Sequence, residues 1–226
     1  MIQAIVFDFD GLVLDTETPE FHSFQELFTE HGTELTLEVW GACIGTQGGF
    51  DPYGHLETCL GRPVDREQLR LLRKAKYDVK MQAADVRPGV RTYLQRAKEL
   101  GLRIGLASSS KRAWVTGYLE QYGLLSYFDV IRTSEDVERV KPDPALYLKA
   151  LESLGVPPEA AVAFEDSPNG SLAAKRAGMY CVIVPNEVTS QLPFGVHDLR
   201  MDSMADRSLD DVLGALEDRP KALNAV

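Results

Sequence analysis

Apolar positions along the chain follow two different rhythms. Residues 2–7 contain Ile2, Ala4, Ile5, Val6 and Phe7 in a short, nearly continuous run, which predicts a buried strand. From Pro19 to about Met81 the rhythm turns helical. PEFHSFQELFTEHG places Phe21, Phe24, Leu27 and Phe28 on one face, and DREQLRLLRKAKYDVKM does likewise with Leu69, Leu72 and Val79.

Beyond residue 87 the two rhythms alternate. Helices are predicted over 89–100, 110–122, 143–154 and 168–177, and strands over 102–107, 129–132, 160–164 and 180–184. Gly101 and Gly178 end two of these helices, and Asp143 with Pro144 reads as an N-cap followed by a first helical proline. Such alternation belongs to a parallel sheet covered by helices on both faces. The expected fold is α/β, a Rossmann-like doubly wound parallel sheet with an all-helical insertion after the first strand. Residues 1–14 and 85–226 would form the core, and 15–84 the insertion.

Composition narrows the function classes. A chain of 226 residues can bury one sizeable core and still carry a small second domain. Its formal net charge of -10 argues against nucleic-acid and anionic-membrane partners, which would repel it. Cys43, Cys59 and Cys181 are too widely spaced for a zinc pattern and read as free thiols. No basic n-region precedes the first strand and no apolar run is long enough for a membrane span, so a cytoplasmic monomer is expected.

The candidate chemistry lies where strands end. In a doubly wound sheet, ligands sit beyond the C-terminal ends of the strands, near the point where strand order reverses. Asp8 and Asp10 follow the first strand, Ser108, Ser109 and Ser110 follow the second, and Glu165 and Asp166 follow AAVAF; Lys141 lies in RVKPDP. Four carboxylates gathered there require cations. Lys141 and a divalent ion would balance most of that charge, hard oxygen ligands favour Mg²⁺, and a phosphate oxygen commonly completes its shell. A phosphorylated substrate follows. Taken singly, each motif has a plainer reading: a strand-end turn, a serine cap, a surface lysine, a helix-capping acid pair. A calcium loop at DFDG is discarded because Leu12 stands where that loop needs Asp or Asn.

DFDGLVLDTE, LASSS, KPDP and FEDSPNG resemble, in order, the four motifs of the haloacid dehalogenase superfamily. The likeness runs to about residue 185 and points to the subgroup of β-phosphoglucomutase and small-sugar phosphatases. It implies that the insertion is a cap, with hinges at 14–19 and 83–88. It also implies that Asp8 is the nucleophile that becomes an aspartyl phosphate. Asp10 would be general acid and base and offer its backbone carbonyl to Mg²⁺. Ser108 would bind a phosphoryl oxygen and Lys141 would neutralise Asp8. Asp166 would hold the metal, with Glu165 as a further ligand or its support.

Ser109, Lys74, Glu20 and Thr46 form the expected substrate-binding set. Lys74 aligns with a cap lysine that reaches substrate in β-phosphoglucomutase, whereas Glu20 and Gly48 replace that enzyme's cap histidine and arginine. The expected activity is therefore a Mg²⁺-dependent phosphatase of a small phosphorylated metabolite, a sugar phosphate, with a β-phosphoglucomutase-like isomerase as the alternative. Dehalogenase and phosphonatase relatives lack a second aspartate such as Asp10. A signalling receiver domain fits neither the length nor the order of the motifs.

Overall fold

The computed structural model describes residues 1–41, 44 and 50–218. Six parallel strands form one sheet: β1 (Ala4–Phe7), β2 (Arg103–Ala107), β3 (Val130–Arg132), β4 (Ala161–Glu165), β5 (Tyr180–Ile183) and β6 (Leu199–Arg200), in the order β3-β2-β1-β4-β5-β6. The order reverses between β1 and β4. Phe7, the last residue of β1, is level with Leu106 on one side and Phe164 on the other. The turns after β1, β2 and β4 therefore emerge side by side.

Strand pleating divides the core in two. Ile5, Phe7, Ile104, Leu106, Val162 and Phe164 face one layer, while Ala4, Val6, Ala107, Ala161, Ala163 and Ile183 face the other. After the insertion come α5 (Val90–Glu99), α6 (Arg112–Gln121), α7 (Ala145–Leu154), α8 (Pro168–Arg176) and α9 (Leu209–Glu217), which follow α1 (Glu17–Glu30), α2 (Leu37–Trp40), α3 (Pro52–Leu60) and α4 (Arg66–Met81) in the chain. Residues of α5, α6 and α9 cover the first layer, and those of α7 and α8 the second. Small alanines on the second side let α7 and α8 approach the sheet closely.

Helices α1–α4 fill the predicted helical region and share a further hydrophobic cluster, rich in aromatic rings (Phe21, Phe24, Phe28, Trp40 and Tyr53), which Val188 joins from the α/β part. Leu14 bridges Val86, and Arg87 N–H bonds the Val13 carbonyl, so the two connecting segments run together. No helix among the described residues is long and apolar enough to cross a membrane.

Several elements differ from the sequence pattern. On α4 the inward series is Leu69, Arg73, Tyr77 and Met81 at four-residue spacing, while Leu72 and Val79 lie exposed to one side. Helix α7 begins at Ala145 rather than Asp143. The N-cap is therefore Pro144 and not Asp143, which stands one residue further out and accepts from Ala145 N–H at 3.0 Å. Strand β6 has two residues, too few for a periodic signal. Cys59 and Cys181 are free thiols, and Cys43 lies outside the described residues.

Candidate active site

Asp8 leaves β1 with its N–H still bonded to the Phe164 carbonyl, at 3.0 Å, which fixes the carboxylate over the switch point of the sheet. The Lys141 ammonium pairs with Asp8 Oδ1 and with Glu165 Oε1, the latter at 2.7 Å. It also stands 5.0 Å from the centre of the Tyr147 ring. Glu165 Oε1 accepts a further bond from the Tyr147 hydroxyl at 2.5 Å, and its Oε2 accepts from the Ser167 hydroxyl at 3.3 Å. Gly170 makes room for this carboxylate: a Cβ there would lie 2.0 Å from Glu165 Oε1.

Burial sets the electrostatics. It pushes the Asp8 carboxyl up to about 8, helped by the neighbouring Glu165 and Asp10 carboxylates and opposed by Lys141. Burial also drives Asp166 well above the usual carboxylate range, with Asp8 and Glu165 acting the same way. Lys141 is desolvated too, yet the Asp8 and Glu165 charges outweigh that penalty and hold it above the usual lysine range.

Asp8, Glu165 and Asp166 present carboxylate oxygens within 4.8 Å of one another. Asp166 Oδ2 accepts from Asn186 Nδ2 at 2.8 Å, whereas its Oδ1 is buried with no hydrogen-bond partner. A buried carboxylate oxygen left unsatisfied beside two more carboxylates suits a hard cation such as Mg²⁺. Gly11 is needed at this point. Its φ is +82°, and a Cβ there would lie 2.1 Å from Asp166 Oδ2.

Asp10 turns its side chain away from that cluster. Oδ1 accepts from the Thr16 hydroxyl (2.9 Å) and the Trp114 indole N–H (2.8 Å), and Oδ2 from the hydroxyls of Ser108 (3.2 Å) and Ser110 (2.7 Å). Ser108 thus donates to Asp10 while accepting from Ser110 N–H at 3.0 Å, joining the turn-capping role and the site role in one hydroxyl. Ser109 is half-buried in the same turn.

The predicted substrate contacts fare unevenly. Glu20 is on the inner side of α1, 3.4 Å from the Arg73 guanidinium. Burial raises its carboxyl, Arg73 opposes this, and Asp10 adds to it. Lys74 instead stands on the exposed face of α4, paired with Asp78 one turn on. The cation that α4 turns inward is Arg73, with its guanidinium 5.1 Å from the Phe24 ring centre and 5.6 Å from that of Tyr77. Thr46 lies outside the described residues, as does Gly48.

Other participants were not singled out from sequence. Glu17 opens α1, and burial together with Asp166, Glu20, Asp10 and Asp8 pushes its carboxyl well up. Asn186 bonds Asp166 and the Gly11 carbonyl, while its own carbonyl oxygen is held by Val188 and Thr189 N–H groups. The half-buried Arg87 donates to the carbonyls of Gly11 (2.6 Å), Val184 (2.9 Å) and Pro185 (2.7 Å). The one sequence signal available for Glu17 was its place in DTE, directly after the first motif.

A doubly wound sheet with an acid-rich, lysine-neutralised centre at its switch point defines an α/β enzyme. The model of the haloacid dehalogenase-like hydrolases matches residues 5–184, and the chain belongs to that family. YhcW of Bacillus subtilis (strain 168), to which phosphatase activity is ascribed, is 55% identical over 209 residues, 92% of this chain and 95% of that protein. The phosphorylated carbohydrates phosphatase of Thermotoga maritima is 30% identical over 79% of this chain and 82% of its own length. Among solved structures, CbbY from Rhodobacter sphaeroides in complex with phosphate superposes with a TM-score of 0.73 at 30% identity, covering 96% of this chain and all of that one. The enzyme class is that of a phosphoric monoester hydrolase.

Proposed function

We propose that the chain is a Mg²⁺-dependent phosphatase that hydrolyses a small phosphorylated sugar through an aspartyl phosphate on Asp8. The observation that carries this reading is the setting of Asp8: a buried carboxylate at a strand end, paired with Lys141 and adjoining an unsatisfied oxygen of Asp166. The carbohydrate phosphatase among the relatives supports the substrate class.

Asp8 and Asp166 would hold Mg²⁺ together with the backbone carbonyl of Asp10. Both Glu165 oxygens already accept hydrogen bonds, which favours a supporting part for that residue. The ion, when bound, would neutralise the phosphoryl oxygens. Asp8 attacks phosphorus, and the bond to the sugar oxygen breaks. Asp10 gives that oxygen its proton and then takes one from the water that splits the phosphoaspartate, releasing inorganic phosphate. Lys141 neutralises the charge shared by Asp8 and the transferring group, while the buried Ser108 and the half-buried Ser109, in the turn after β2, would bind the phosphoryl oxygens.

Residues 15–84 act as a cap over a core made of 1–14 and 85–226; a hydrophobic cluster made mostly of their side chains, joined by Val188, supports that division. Glu20 and Arg73 face the sugar from the cap. Glu20, tied to Arg73 where a mutase carries histidine, favours hydrolysis over isomerisation. The enzyme is a monomer of the cytoplasm, in keeping with its free Cys59 and Cys181.

The test is phosphate release from a panel of phosphorylated metabolites by wild type and Asp8→Asn, with Mg²⁺ and with EDTA. Release from sugar phosphates that requires both Asp8 and Mg²⁺ is expected. Equal turnover by Asp8→Asn, or no release from any sugar phosphate, would sink the reading.

A further inference from the structure

We propose that Trp114 is a positioning residue for Asp10: it seats the carboxylate and ties that seat to the inserted helices through Tyr77. The proposal rests on the acid and base role given to Asp10 above. Asp10 receives hydrogen bonds from the hinge (Thr16), from the turn after β2 (Ser108 and Ser110) and from α6 (Trp114). Three of these donors are hydroxyls, which rotate and can accept as readily as they donate. The indole N–H can only donate, and its direction is fixed by the ring.

The ring is itself held. Tyr118, one turn along α6, meets it edge-on at 4.8 Å and 78°. Tyr77 lies against it at 6.2 Å and 34°, and Tyr77 belongs to the inward series of α4. The indole is therefore a part of the core that touches both an inserted helix and the Asp10 carboxylate. A shift of α4 against α6 removes one wall of the indole's seat, and Asp10 Oδ1 loses its directional donor. With α4 in place, the carboxylate is aimed before substrate arrives, which is where a positioned acid gains its effect.

Trp114→Phe keeps an aromatic ring against Tyr77 and deletes the N–H. The departing oxygen of a sugar phosphate needs a proton, whereas p-nitrophenolate leaves without one. Trp114→Phe should therefore lower kcat/KM about tenfold for a sugar phosphate and much less for p-nitrophenyl phosphate. Trp114→His, which retains a ring N–H, should recover part of the difference, and Tyr77→Leu should shift the ratio in the same direction. Equal losses on both esters, or no loss, would overturn the positioning role. A Tyr77→Leu enzyme with the wild-type ratio would overturn the tie to α4.

An arm independent of turnover follows the Trp114 indole N–H in ¹H–¹⁵N spectra, assigned by elimination, since the chain has two tryptophans and Trp40→Phe leaves a single indole resonance. It should move in Asp10→Ala, because its acceptor is gone, and an unmoved resonance would remove the basis of the proposal even if no variant of Trp114 folds. If the resonance moves while wild type hydrolyses neither ester, the phosphatase reading fails and the seat of Asp10 stands.

Discussion

Lys141 donates a hydrogen bond to Asp8 Oδ1 with almost no access to water, Lys141 being 1% exposed and Asp8 7%. Charges placed this deep are tolerated through mutual compensation: Glu165 shares the lysine, and Tyr147 and Ser167 share Glu165. The centre behaves as one network rather than as separate residues.

Removing the lysine tests that network. Lys141→Met leaves Asp8 and Glu165 without their cation and should cost about 3–5 kcal/mol of stability in metal-free protein. Adding Asp8→Asn should restore part of the loss, so a double-mutant cycle in urea should be non-additive by more than about 0.5 kcal/mol. Simple additivity would show that the pair contributes no coupling.

The raised Asp8 carboxyl predicts a pH dependence. In the folded protein it keeps its proton up to about 8, whereas an unfolded aspartate releases it near the ordinary value of about 3.9. Between those values the folded state binds more protons than the unfolded state, so stability falls as pH rises towards 8 and levels off above. Thermal midpoints of EDTA-treated protein should therefore decline over this window, less steeply in Asp8→Asn. Saturating Mg²⁺, which replaces the proton as counter-charge, should flatten the wild-type curve. An identical decline in Asp8→Asn would assign the slope to other groups.

On the cap, Arg73 rather than Lys74 should matter to substrate. Arg73→Met should raise KM for the preferred sugar phosphate several-fold while leaving KM for p-nitrophenyl phosphate within about twofold, because contacts with the non-reacting end are lost. Lys74→Ala, which removes an exposed pair with Asp78, should change either value little and stability by less than about 0.5 kcal/mol. Steady-state kinetics of both variants decide between the two residues, and the reverse pattern would return the role to Lys74.

Gly11→Ala should damage metal binding without touching a ligand. The new Cβ would need the space of Asp166 Oδ2, and φ of +82° is unfavourable for alanine, so a loss of about 1–3 kcal/mol is expected. Mg²⁺ titration followed by thermal shift should show weakened affinity, and unchanged affinity would mean that Asp166 relocates freely.

Much of this protein was legible in its residue order. The apolar run through Ile5, Val6 and Phe7 read as a buried strand, which β1 is, and the alternation after residue 87 pointed to the parallel sheet. A parallel sheet brings the turns after its neighbouring strands to one edge, so Asp8, Lys141, Glu165 and Asp166 could be assembled before any coordinates. Those are local patterns joined by a general rule of topology.

The tertiary structure decided the partners. Trp114 reaches Asp10 across 104 positions of chain and Asn186 reaches the Gly11 carbonyl across 175, and no periodicity encodes such pairs. Arg73 and Lys74 are adjacent cations with equal claim in the sequence. The packing of α4 through Leu69, Tyr77 and Met81 turned one inward and the other to water, because successive residues on a helix point about 100° apart and the burial of the apolar ones fixes the rotation.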